Sequence, residues 1–205
     1  MPIKISKWNG RLGNNIQQCA VGILIAISRK DTFESPAHEI IKPFSLDFGK
    51  REEIFLSEYF FWNGNKKVPN ISTNKIYQDI QMVCQKYIIH NLDLPKIIVP
   101  NDTLVIHIRS GDIFRKGFVH KDYVPNPFIY YESLIRLFNR VLIVTEGDNN
   151  NPILRKISKN PNVEIQSSSV REDFSTLLAA TNLATSGVGT FAMSAALCSR
   201  NLKNI

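Results

Sequence analysis

His107-Ile108-Arg109-Ser110-Gly111-Asp112 sets three polar side chains where an apolar run, Thr103 to Ile108, gives way to a loop. A planar guanidinium at the end of a rigid strand can donate paired hydrogen bonds to two phosphate oxygens, and it keeps its charge at any working pH. The same residue types also build a simple Arg109–Asp112 ion pair closing the strand, and residue identity leaves both readings open. Ser186-Gly187-Val188-Gly189-Thr190-Phe191 is a second such place. Its glycines would let the backbone approach a ligand, and a helix beginning there would present N–H groups with positive dipole character, as a pyrophosphate requires. A plain tight turn uses the same residues. In the third, Gly10-Arg11-Leu12-Gly13-Asn14-Asn15, the two side-chain amides either cap a helix or donate to a ligand.

Strands and helices must position these loops. Ile3 to Trp8 alternates apolar and polar residues like a strand, and Ile16, Cys19, Ala20, Ile23, Leu24 and Ile27 then recur at helical spacing. Strand, glycine loop and helix open an α/β sheet. Residues 31 to 74 are irregular and rich in Phe, Pro and Asn, including Phe44, Phe48, Phe55 and Tyr59-Phe60-Phe61-Trp62, and no element is assigned there. Lys75 to His90 reads as an amphipathic helix through Ile76, Ile80, Val83 and Tyr87, closed by Pro95 and Pro100. Thr103 to Ile108 and Val141 to Thr145 are continuous apolar runs, the mark of strands buried on both faces. Helices are expected at Pro127 to Phe138, Ile153 to Ser158, Asp173 to Thr181 and Phe191 to Cys198, with strands at Val163 to Ile165 and Leu183 to Thr185. That alternation makes the part after about residue 96 a doubly wound α/β unit, with the Arg109 loop and the Gly187–Thr190 turn on the carboxyl rim of one sheet.

Composition bounds the rest. The chain has 205 residues, 43% hydrophobic and 21% charged, a globular composition that excludes disorder, collagen and a disulfide scaffold. A net charge of +7 favours anionic ligands. Its basic residues are scattered (Arg29-Lys30, Lys66-Lys67, Arg115-Lys116, Lys121, Arg155-Lys156), like a solvated surface rather than a nucleic-acid arm. Cys19, Cys84 and Cys198 show neither disulfide nor zinc spacing, and the expected setting is reducing and cytoplasmic. The N-terminus lacks the apolar core of a signal peptide and Cys19 to Ile27 is too short to span a bilayer, so any membrane contact is expected to be peripheral. Without a secretory signal, Asn70-Ile71-Ser72 and Asn101-Asp102-Thr103 read as chance sequons.

Gly10-Arg11-Leu12-Gly13-Asn14-Asn15-Ile16-Gln17-Gln18, the hexad from His107 to Asp112, and Asp173...Leu177...Ala180...Ser186...Gly189-Thr190-Phe191 together resemble the successive motifs of the α1,2-, α1,6- and protein O-fucosyltransferase superfamily, nearest its α1,2 branch. The resemblance covers most of the chain except residues 31 to 100. It implies a GT-B-like fold of two small Rossmann-like domains facing across a cleft: an acceptor-side α/β domain over 1–95 and a nucleotide-sugar-binding domain over 96–205. It also implies GDP-fucose as donor, no required metal or other cofactor, and a glycan acceptor. Carried over by position, His107 would lie against the guanosine end and Arg109 would bind the β-phosphate. Ser186, Gly189, Thr190 and Phe191 would line the phosphate and nucleoside pocket, Asp173 would sit near the base, and Asn14 with Gly10 and Gly13 would face the sugar and pyrophosphate. Ser110 stands where the α1,2 and α1,6 branches carry a second arginine, and Asn15 where Gln is common. The last residues, Asn201 to Ile205, fall where family members continue into another strand and helix, so a minimal or truncated version is expected.

The implied reaction is inverting transfer, in which Arg109 and the helix amides after Gly189 face the charge developing on the departing diphosphate. Asp112 is the nearest candidate base, with orientation of Arg109 as its other reading. Glu146, after the Val141–Thr145 strand, is a rim carboxylate able to hold a ribose hydroxyl. Two rival classes remain: a binding protein that keeps the nucleotide-sugar pocket without transferring, and a basic RNA-binding module using Tyr59 to Trp62, which lacks any nucleic-acid motif.

Overall fold

The computed structural model describes residues 3–49, 54–56, 73–114, 123–147 and 151–204, with the side chains of 54–56 and 73–74 left out. The aromatic run Tyr59 to Trp62, the basic residues Lys66, Lys67, Arg115, Lys116 and Lys121, the Phe55 side chain and the sequon at Asn70 lie outside what is described. The chain divides into two compact units, Met1–Asp93 and Leu94–Ile205.

In the first unit β1 (Ile3–Ile5) leads through the Gly10 loop into α1 (Leu12–Arg29). β1 stops at Ile5, three residues short of the alternating pattern. Beyond it, Lys7 and Asn9 bond to side chains of the following helix rather than to a neighbouring strand. The region left unassigned from sequence contains β2 (Thr32–Ser35), β3 (Phe44–Asp47) and β4 (Ile54–Leu56). These complete a four-stranded sheet in the order β3-β2-β1-β4, with β1 parallel to β2 and β4 and β3 antiparallel at the edge. α2 (Thr73–Val83) continues as one π turn, Cys84–Ile88, and one 3-10 turn, Ile89–Asn91, covering the expected helix. Ile80, Val83, Cys84 and Ile88 form its buried stripe, and the element packs against α1, whose residues from Ile16 to Ala26 are buried throughout.

The second unit is mixed α/β with a wholly parallel four-stranded sheet, β7-β6-β5-β8. In chain order it runs β5 (Thr103–Ile108), α3 (Phe128–Ile135), β6 (Arg140–Thr145), α4 (Pro152–Ile157), β7 (Val163–Gln166), α5 (Val170–Ala179), β8 (Asn182–Ala184) and α6 (Phe191–Cys198). Each expected element is present, with ends that match or move by up to three residues. α5 starts at Val170 rather than Asp173 because Ser169 and Glu172 form a reciprocal capping box that fixes the start three residues earlier. All six residues of β5 are buried. One face packs Leu104, Ile106, Ile108, Val141 and Ile143 onto Tyr131 and Ile135 of α3 and Leu154 and Ile157 of α4. The alternate residues, Val105 and His107 among them, point to the other face. α5 lies there against β5 and β6 and against α6.

The strand order decides where a ligand would enter. From β5 the chain winds outward through β6 to β7, then returns to place β8 on the opposite side of β5. Such a reversal is a topological switch point, where loops after neighbouring strands can diverge at the strands' carboxyl ends. The loop after β5 carries Arg109, and the loop after β8 carries Ser186 to Thr190.

Candidate functional site

Arg109 follows directly on β5 and its side chain is only 15% exposed. Its Nη2 donates to both carboxylate oxygens of Asp112, at 3.2 and 3.0 Å, so the ion pair named as the simple reading is present. The pair does not exhaust the guanidinium, because among the described residues the buried Nε has no hydrogen-bond partner. Along its other side, Nη1 and Cδ lie 2.9 and 3.4 Å from where a Cβ on residue 189 would sit. Gly189, at φ +84°, is thus required twice, by the backbone angle and by the cation against it. The ring of Tyr123 covers the guanidinium carbon, with its centroid 4.5 Å away.

The loop that holds Arg109 is tied from β6 and α4. Glu146, just past β6, accepts the Ser110 N–H at 2.7 Å, and its carboxyl group rests 3.2 Å from where a Cβ on Gly111 would project. Gly111 takes φ +61°, which lets the chain turn and bring Asp112 back to Arg109. Asn151, wholly buried, caps α4 through the Ile153 N–H and donates to the Arg109 carbonyl at 3.4 Å. Glu146 is therefore engaged in shaping the Arg109 loop.

On the facing loop, Ser186 is buried and its hydroxyl donates to the Val188 carbonyl at 2.8 Å. His107 Nδ1 lies 3.4 Å from the same hydroxyl oxygen. With the hydroxyl hydrogen directed at the Val188 carbonyl, this contact suits a tautomer protonated at Nδ1. Burial, followed by the nearby Arg109 charge, holds His107 down to a pKa of about 4. Its ring packs on Phe191 at 5.6 Å between centroids, and Phe191 packs edge-on to Phe174 at 5.3 Å. Thr190 is the N-cap of α6 and makes no side-chain capping bond.

His107, Arg109, Asp112, Glu146, Ser186, Gly189, Thr190 and Phe191 are thus brought to one rim of one sheet. Asp173 has a different setting. It accepts from Gln166 Nε2 at 2.8 Å and from the Ser168 N–H at 3.2 Å, holding the β7–α5 loop. Burial raises its pKa, against the opposing effect of these donors.

In the first unit, Gly10 has φ +73° and the Asn14 amide packs over it where a Cβ would otherwise be. Gly13 is buried in the first turn of α1. The expectation that Asn14 or Asn15 caps this helix is corrected: the N-cap is Arg11, with no side-chain bond, and both asparagines fall inside the first turn. Asn15 instead donates to the Asn9 carbonyl at 3.0 Å, while Gln18 donates to the Lys7 carbonyl at 2.7 Å and accepts from the Asn9 N–H at 3.3 Å. These buried amides turn back on the loop because the short β1 leaves its polar groups without strand partners.

Tyr123 and Asn126 are rim residues that sequence reasoning missed. Asn126 donates to the Thr185 carbonyl at 3.0 Å, across 59 residues, and its side-chain oxygen fills the space over Gly187. The available signal was Pro125-Asn126-Pro127, which was read only as a helix start. Comparison with protein-family models and with curated proteins returns no match.

Proposed function

We propose that the chain binds a nucleoside-diphosphate sugar, GDP-fucose or a related GDP-sugar, and transfers the sugar with inversion to a glycan hydroxyl. The observation that carries this reading is the Arg109 guanidinium, held against Gly189 where the loops of β5 and β8 diverge. A fixed cation beside a glycine turn and a helix start is the equipment a diphosphate needs. In the reaction the acceptor oxygen bonds to the anomeric carbon as the bond to the β-phosphate oxygen breaks, and the hydroxyl proton is released. Arg109 and the first amides of α6 face the charge left on GDP. Asp112 orients Arg109, a role its two contacts to Nη2 support. The resemblance further assigns His107, Ser186, Thr190 and Phe191 to the nucleoside and phosphate pocket and Asp173 to the base; its donor-facing role for Gly10, Gly13 and Asn14 finds no support in a loop whose Asn14 packs over Gly10. On this reading the two α/β units are the two domains of a GT-B-like enzyme.

One observation favours the second reading, a binding protein that does not transfer. Asp112 is engaged by Arg109, Glu146 by the Ser110 N–H, and Asp173 by Gln166 and Ser168, so each of these carboxylates already serves the scaffold. A thermal-shift panel of GDP-, UDP-, CDP- and dTDP-sugars on wild type and Arg109→Ala tests the donor, with a donor-hydrolysis assay beside it. Stabilisation by a GDP-sugar alone, lost in the variant, supports the proposal. Equal response to all four nucleotides overturns the donor class, and binding without turnover selects the second reading.

A further inference from the structure

Tyr123-Val124-Pro125-Asn126-Pro127 reaches both loops of the β5/β8 crevice. Its first residue places an aromatic ring 4.5 Å from the Arg109 guanidinium carbon, on the β5 side. Its fourth residue hydrogen-bonds the Thr185 carbonyl at 3.0 Å and fills the space over Gly187, on the β8 side. The segment is stiff by composition. Pro125 and Pro127 fix their own φ angles, and each also confines the residue before it, Val124 and Asn126, to extended backbone. Pro127 has φ −66° and ψ 154° and leads straight into α3, whose Tyr131 and Ile135 are sunk in the core. A short extended strut, anchored at one end in the core, thereby touches two loops belonging to different strands.

The chemistry of its two contacts differs. The negative face of an aromatic ring attracts a guanidinium without taking any of its N–H groups, so Tyr123 restrains Arg109 while leaving its in-plane donors for an anion. Asp112 restrains the same group in its plane through Nη2. Asn126 acts on backbone: its bond to Thr185 fixes the exit of β8, and with Gly187 at φ +72° it sets the course of the turn toward Gly189.

We propose that the Tyr123–Pro127 segment is the positioning element of the diphosphate site, with Tyr123 setting the guanidinium and Asn126 setting the glycine turn that face the same phosphate. This rests on the reading that Arg109 and the Gly187–Thr190 turn bind a diphosphate. Neither residue is a catalytic residue; both act through the groups they hold.

The test is calorimetric titration of wild type, Tyr123→Ala, Tyr123→Phe and Asn126→Ala with GDP, GMP and inorganic pyrophosphate. Tyr123→Ala is expected to weaken GDP and pyrophosphate about tenfold, the effect of losing a partly desolvated cation–π contact, and to leave GMP within about twofold. Tyr123→Phe, which keeps the ring, restores wild-type binding. Asn126→Ala is expected to reproduce the alanine pattern. A variant that merely loosens the fold would weaken GMP as much as GDP, and that result overturns the proposal. So does unchanged binding of GDP and pyrophosphate to Tyr123→Ala, or failure of Tyr123→Phe to restore them. If wild type binds pyrophosphate but no nucleotide, the donor reading falls while the positioning role is still decided by the pyrophosphate series. If wild type binds none of the three, both fall together.

Discussion

Each of the two units contains a place where the chain reverses its direction across a sheet, and the two are filled in opposite ways. In the first unit β1 has parallel neighbours on both sides, β2 and β4, and its loop carries Gly10. In the second, β5 has parallel neighbours β6 and β8, and its loop carries Arg109. Around Gly10, beside the exposed Arg11, the side-chain amides turn inward: Asn14 lies over the glycine, Asn15 holds the Asn9 carbonyl, and Gln18 holds Lys7 and Asn9. Around Arg109 a cation is held at the rim by a carboxylate, an aromatic ring and a glycine turn, with Nε unpartnered among the described residues. Topology therefore offers a switch point in both units, and side-chain chemistry distinguishes the two. The loop around Gly10 has spent its amides on its own backbone.

The largest expected difference lies at the cation. Arg109→Ala should abolish the thermal shift given by a GDP-sugar and lower any transfer rate about 100- to 1,000-fold, the usual consequence of removing one preorganised donor from a developing anion. Wild-type turnover in that variant would mean that the crevice in the second unit is only an ion pair on a turn.

A second difference appears with pH. His107 is buried and held at a pKa of about 4, against an ordinary value of 6.5. The folded state therefore favours the neutral ring. Above about pH 6.5 the ring is neutral in both states and the stability is fully present. As pH falls from there to about 4, the unfolded chain takes up a proton that the folded one refuses, and about 3 kcal/mol is lost. Urea unfolding of wild type and His107→Gln across this range should show a shallower acid limb in the variant. Parallel curves would show that His107 does not supply the slope. The Gly10 loop has no titratable group in this role among its described contacts.

The Gly10 loop should answer through stability alone. Gln18 is fully buried, and Gln18→Ala strands two backbone groups, the Lys7 carbonyl and the Asn9 N–H. The expected cost is about 2 kcal/mol in urea unfolding, with GDP affinity unchanged, because buried polar groups left unpaired carry their desolvation penalty. A loss of GDP affinity at wild-type stability would assign this loop to the ligand instead.

Reading the sequence reached these two loops unequally, for reasons that lie in particular residues. Thr103–Ile108 and Val141–Thr145 are largely buried on both faces and announce themselves as apolar runs, which places Arg109 at a strand's end. β2 and β3 gave no such signal. Thr32 and Ser35 are polar yet buried, so burial and hydrophobicity part company in β2, while Phe44–Asp47 is an antiparallel edge strand whose alternation spans only four residues. The order β7-β6-β5-β8 is also absent from any local pattern, although it is what brings Arg109 beside Gly189. Asn126 meets its partner across 59 residues, a contact that no spacing rule reports. The caps divide the same way: Ser169 and Glu172 are a readable capping box, whereas the helix after Gly10 starts at Arg11 without any side-chain cap.

The smallest and sharpest comparison sets one glycine against the other. Gly10 and Gly189 both have positive φ, +73° and +84°, so Gly10→Ala and Gly189→Ala should each cost about 1–2 kcal/mol of stability from backbone strain. Their other effects should separate. A methyl group at 189 lies 2.9 Å from Arg109 Nη1 and must push the guanidinium from its place, so GDP affinity is expected to fall about tenfold, equivalent to about 1.4 kcal/mol. A methyl group at 10 meets the Asn14 amide, which can yield by rotating. GDP affinity in Gly10→Ala should then stay within about twofold of wild type, a shift below 0.5 kcal/mol. Calorimetric titration of the two variants beside their urea curves makes the measurement. Should Gly10→Ala lose GDP as readily as Gly189→Ala, the Gly10 loop is part of the diphosphate site after all, and the role that the resemblance gives Asn14 gains the support its packing over Gly10 withholds.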